Sequence, residues 1–176
     1  DLPESISQGA LDYSLTKPIN SLFYLSFRRQ QYSEVGTLFT GIGITAYAVY
    51  NLGLTNFINY VQILSGICFG LVAFYSIILS FATLSFFLTR LSAMSSFYDV
   101  VQTALRYPME LFTGKNIIAG TILLPFALVA TIPARVLIGS NNWIDFVLEL
   151  IGSLVLFYFA VSFWNFAIKR YSSASS

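Results

Sequence analysis

Between Glu34 and Arg90 the chain carries 55 consecutive residues without a charge, mostly Leu, Ile, Val, Phe, Tyr, Ala and Gly. About 20 apolar residues in a helix already cross a bilayer core of ~30 Å. All 55 in one helix would make a rod of roughly 80 Å, too long for a single crossing. The run must therefore fold back. Asn51, Gly53, Asn56 and Asn59 gather turn and capping chemistry near its middle. The expectation is a two-helix membrane hairpin: helices over about 35–54 and 60–89, with the turn at Asn56–Asn59.

Composition supports lipid as the solvent. Of 176 residues, 56% are hydrophobic and 10% charged, against ~25% charged in soluble domains, and the mean hydropathy is +0.73. The net charge of +1 and the absence of any Lys/Arg run longer than two argue against nucleic acid as a partner. There is no histidine, which removes the commonest general base and metal ligand. The single cysteine, Cys68, reads as a small packing residue. The sequence opens on Asp1 rather than Met, without a leader or lipidation signal, and is expected to be the remainder of a longer polypeptide.

Residues 1–33 are polar and mixed, with a short helix ended by Pro18 and a second amphipathic stretch, Ser21–Ser33, lying along the membrane face. After Arg90, an amphipathic helix over about 92–112 sets Asp99, Arg106 and Glu110 beside an apolar face. Residues 116–134 are again uncharged but interrupted by Pro125 and Pro133. Two geometries fit. Either 116–134 is the third crossing, or 91–112 crosses and 116–138 is a re-entrant pair of half-helices. A last helix over about 147–168 precedes Lys169 and Arg170. The fold expected is an all-α integral membrane protein. It is a polytopic helix bundle (34–176) with amphipathic cytoplasmic helices and a re-entrant segment in the second geometry.

With four crossings the two ends share a side. Lys17, Arg28, Arg29, Arg90, Arg106, Lys115, Lys169 and Arg170 fall on it and only Arg135 opposite, so both ends face the cytoplasm. The re-entrant geometry gives six against three and the same orientation.

The segment Gly9-Ala-Leu11-Asp12-Tyr13-Ser-Leu15-Thr-Lys17-Pro18-Ile-Asn20 resembles the G-x-L-D-x-x-L-x-x-P-x-N stretch of ABC-2 family permeases. Arg106-Tyr107-Pro108 with Phe112, Leu124-Pro125-Phe126-Ala127 with Pro133-Ala134, and the basic-Tyr-Ser tail from Lys169 follow in the same order, so the resemblance covers almost the whole chain. It implies six helices, of which an amphipathic start and the first two crossings are missing here. It also implies a cytoplasmic loop over 1–33 that holds a coupling helix, in which Gly9, Leu11, Asp12, Tyr13, Leu15, Pro18 and Asn20 meet an ATPase. The function implied is the permease subunit of an ATP-driven exporter in the cell inner membrane. Its partners would be a cytoplasmic ATPase, a second permease copy or homologue, and membrane lipid. No cofactor would bind this chain, and ATP and magnesium would sit on the ATPase.

Other motifs are weaker. Gly36, Gly41 and Gly43 are not followed by Gly-Lys-Ser/Thr and form no phosphate loop. Gly66 and Gly70 have the spacing of close helix packing, at which chance is an equal explanation. Asp145 and Glu149 stand one turn apart at a helix start, where dipole and capping roles fit better than a catalytic pair. Tyr60, Trp143 and Trp164 read as interface aromatics. Tyr47 and Tyr75 are deeper, so their hydroxyls call for partners on other helices or in a cavity, by plain packing or along a substrate path. A cavity with scattered Tyr and Thr would suit amphipathic lipids, glycolipids or drugs. A structural or assembly subunit without a transport path is the alternative, and a lipid enzyme is disfavoured by the missing histidine.

Overall fold

The computed structural model describes residues 20–27, 32, 35–54, 56–84, 86–87, 103, 125–130, 134–135, 138 and 143–170. Every regular element among them is helical. Four helices are α1 (Ser21–Phe27), α2 (Val35–Asn51), α3 (Phe57–Leu84) and α4 (Trp143–Arg170). A short helical turn covers 125–129. The expected amphipathic helix at 92–112, most of 116–134 and the coupling positions before Asn20 lie outside the described residues.

The expected turn is present, displaced toward the N-terminus. α2 ends at Asn51 rather than at Leu54, because Gly53 takes a left-handed φ of 61° and cannot continue the helix. Leu52 N donates to Ala48 O (2.9 Å) and Gly53 N to Tyr50 O (3.2 Å), closing the last turn. Asn56 O then accepts from Asn59 N (3.0 Å), so α3 is under way by Phe57 and Asn59 is a helix residue, not a turn residue. At the far end α3 stops at Leu84, short of Thr89, where Phe86 N→Thr83 O and Phe87 N→Leu84 O bonds tighten the backbone.

The hairpin's two arms are not each other's packing partners. α2 buries no residue, whereas α3 packs along α4. The reason lies in side-chain size. The buried stripe of α3 includes Gly66, Gly70, Ala73, Ser76 and Thr83, and that of α4 includes Ser153, Ala160 and Ala167. Small residues on both faces let the backbones approach closely, the usual basis of helix association in lipid. The outward faces carry Leu64, Leu71, Ile151, Leu154, Val155, Tyr158 and Phe159, all exposed. Inner stripes rich in small and polar residues beside Ile63, Ile77, Leu79 and Trp164, with large apolar groups facing outward, suit a chain whose solvent is hydrocarbon. Hydroxyls along α3 fold back on their own helix: Ser65 donates to Val61 O (2.8 Å), Ser76 to Val72 O (2.6 Å), Ser80 to Ser76 O (2.8 Å) and Thr83 to Leu79 O (2.7 Å). They therefore need no water.

α3 and α4 are each long and apolar enough to cross a membrane. With 28 residues each they rise about 42 Å. α2, with 17 residues, rises about 26 Å and falls short of a full core.

The pair is parallel. Ala73 meets the cluster that Leu156 joins, the Tyr75 ring lies 6.3 Å from Phe157, Leu79 packs with Ala160 and Trp164, and Phe87 stacks on Phe163 at 6.0 Å. Position advances along both helices together. Two parallel spanning helices require the chain between them to make a net crossing, and both geometries for 91–138 provide one.

α4 begins at Trp143, four residues before the expected start. Asp145 lies in its first turn, with Oδ1 3.9 Å from Arg135 Nη1. Glu149 is not a capping residue: it is fully buried one turn further in. The 125–130 segment packs where α3 and α4 are closest to mid-length. Leu128 is fully buried beside Ala73, and its Cδ atoms fill the space a side chain at Gly152 would occupy.

Candidate functional site

α1 joins the N-terminal region to the helix pair, and its cap sets which face does so. Asn20 Oδ1 accepts from Leu22 N (3.0 Å) and Phe23 N (3.4 Å), and Asn20 O accepts from Tyr24 N (3.0 Å). That is an N-cap, and it sets where the helical spacing begins. Leu22, Leu25 and Ser26 then share one face, which turns toward α3 and α4, while Phe23 and Phe27 point outward with their rings 4.8 Å apart. The expectation that this stretch lies along the membrane face is modified. Its inner face is seated against the C-terminal third of the helix pair, where Leu22 and Leu25 pack on the Leu79–Ala160–Trp164 cluster.

Beneath α1 is a cavity of about 300 Å³, lined by Leu22, Leu25 and Ser26 from α1, Tyr75, Ile78, Leu79 and Ala82 from α3, and Trp164 from α4. One hydrogen bond spans it. Ser26 Oγ and Tyr75 Oη are 2.7 Å apart. The Ser26 proton is already committed to Leu22 O at 2.8 Å, and a hydroxyl has one proton to give. Tyr75 is therefore the donor, and the series Tyr75→Ser26→Leu22 ties α3 to the first turn of α1. A tyrosine hydroxyl at this depth needs such a partner.

Trp164 is not an interface aromatic: it is 1% exposed. Phe86 meets its ring edge-on at 5.4 Å, and its Nε1 has no acceptor among the described residues. The spacing held a signal for this, because Ser153, Ala160 and Ala167 recur every seven residues on the face to which Trp164 belongs. Trp143 and Tyr60, by contrast, are exposed.

Of the expected coupling residues, Asn20 alone is described, as the cap of α1. Gly9, Leu11, Asp12, Tyr13, Leu15 and Pro18 lie outside the described residues. Gly66 and Gly70 are buried on the inner stripe of α3. Tyr75 lines the cavity, but Tyr47 does not: it is 72% exposed on α2. Ser26 is the site residue that sequence reasoning missed, since it looked like one polar residue in an amphipathic stretch. No group of three metal-binding side chains occurs among the described residues.

A capped helix is pinned by one hydrogen bond and two leucines to a parallel pair of membrane-length helices. Comparison with known proteins adds the context. No curated protein and no solved structure matches the chain. The sequence profile of a family described as "ABC-2 family transporter protein" matches residues 1–175, effectively end to end. The chain therefore belongs to the ABC-2 family of transporter proteins.

Proposed function

We propose that the chain is the transmembrane permease subunit of an ABC-type exporter, working as a pair with separate cytoplasmic ATPase subunits that carry ATP and magnesium. It does no chemistry itself. It moves an amphipathic or lipid-like substrate across the cell inner membrane by alternating access, with both ends of this chain in the cytoplasm. The observation that carries this reading is the seat of α1. Asn20, the last residue of the segment that resembles the coupling stretch, caps α1, which is tied to α3 by Ser26 and Tyr75 and to α4 by Trp164. Closure of the ATPase dimer would pull the loop, α1 would transmit the displacement, and α3 and α4 would move together because their small-residue faces interlock. A switch of this kind needs differential contact between the loop and the two ATPase states.

The test has two parts. Affinity purification of the tagged chain from membranes is expected to bring down an ATPase, which an assembly subunit without a transport path need not do. A Leu11→Ala/Asp12→Ala double variant is expected to reach the membrane and leave ATP hydrolysis running while transport falls to background. Normal transport by that variant would refute the coupling role.

A further inference from the structure

The carboxylate of Glu149 has no part in the coupling path. It belongs to the inner stripe of α4, has no exposed surface, and among the described residues neither of its oxygens has a hydrogen-bond partner. Its neighbour Asp145 has Arg135. Lys169 and Arg170 stand at the opposite end of the helix, about 30 Å along it.

The parallel register, with Ala73 level with Leu156 and Tyr75 with Phe157, sets Glu149 level with Gly66 of α3. The buried stripe of α3 at this level, with Gln62, Gly66 and Gly70, carries no counter-charge. Ser153 is buried one turn on, but its proton goes to Leu150 O at 3.1 Å. An intramembrane acid without a partner is costly to keep and characteristically marks a substrate or ion path. A hard metal ion would need several oxygen ligands, and the described residues hold no group of three acids or other metal ligands. A single buried carboxylate with no counter-charge among the described residues suits instead a monovalent organic cation, whose one positive charge it can match.

Building on the transporter reading, we infer that Glu149 is a substrate-binding residue that takes the protonated amine or quaternary onium head of a lipophilic cation.

The probe is radiolabelled tetraphenylphosphonium, measured by equilibrium binding to the permease together with its ATPase in nanodiscs. Tetraphenylborate serves as the anion of the same size and shape. The wild type is expected to bind the cation and not the anion. Glu149→Gln, nearly isosteric, is expected to bind it about 30-fold more weakly or worse, the loss typical of removing one member of a buried charge pair. Glu149→Asp, which keeps the charge, is expected to retain most of the affinity.

Equal cation binding by wild type and Glu149→Gln would overturn the inference, as would equal binding of the two probes by wild type. Binding by Glu149→Asp no better than by Glu149→Gln would also overturn it. Failure here is separable from failure of the transporter reading. A permease that brings down a coupled ATPase but binds the cation independently of Glu149 loses only this inference. Glu149-dependent binding without any ATPase would keep the site and remove the exporter.

Discussion

Replacing Gly152 by Ala tests the contact on which the 125–130 segment rests. A Cβ at 152 would lie 2.8 Å from Leu128 Cδ1 and 2.9 Å from Cδ2, against about 3.5–4.0 Å for comfortable carbon contacts. Rotating the Leu128 side chain about its last torsion exchanges one methyl for the other and relieves nothing. Leu128 is also fully buried, with Ala73, Val129 and Leu156 around it. Overpacking of this kind costs about 1–3 kcal/mol. Alanine returns about 0.8–1 kcal/mol of helix propensity at an interior position, so the net destabilisation is about 1 kcal/mol.

The decisive measurement is the same substitution beside Leu128→Ala. There the two methyls are gone, only the propensity gain remains, and Gly152→Ala is expected to stabilise by about 0.5–1 kcal/mol. The sign of the effect should therefore reverse, with a coupling of about 1–3 kcal/mol between the sites. Unfolding of all four proteins in bicelles, followed by titration with a denaturing detergent, reads each free energy. If Gly152→Ala changes stability by the same amount in both backgrounds, within about 0.3 kcal/mol, then the contact between 125–130 and α4 is not as described.

Two further outcomes are expected. Asn20→Ala removes both side-chain cap bonds of α1 and should cost about 0.5–2 kcal/mol locally, seen as faster amide exchange across Ser21–Phe27 with α3 unchanged. Equal protection in the two proteins would show that the cap does not set this helix. Phe57→Cys and Trp143→Cys, placed at the N-terminal ends of α3 and α4, should both react with an impermeant maleimide from the same side of intact cells, since the helices are parallel. Labelling from opposite sides would refute that pairing.

Much of the helical framework was readable from residue order. The uncharged run and the Asn- and Gly-rich break give α2, its turn and α3, because lipid length and turn chemistry are local properties. Boundaries went wrong where charge was taken as a boundary marker. α4 starts earlier than expected because Asp145 is matched by Arg135 and Glu149 is buried, and neither fact is visible along the chain. Pairing was the harder matter. Adjacent helices suggest a hairpin, but α3 chooses a partner some 60 residues further on, through glycine, alanine and serine faces. Size, rather than hydrophobicity, decides contact in a solvent as apolar as leucine. Trp164 was misread for the same reason, since its nearness to Lys169 and Arg170 is a one-dimensional fact while its place among small residues is a matter of helical face. The link from Ser26 to Tyr75 joins positions 49 apart and has no local signature.

The place where Leu128 packs on Ala73 also gives α3 unequal arms. From Ala73 the seat of α1 around Leu79 is about 9 Å away, whereas the far end at Phe57 is about 24 Å away. A stiff rod pivoting there multiplies a small nudge at one end roughly two- to threefold at the other. Displacements of an ångström or so at the seat of α1 would then become a gape at the far end.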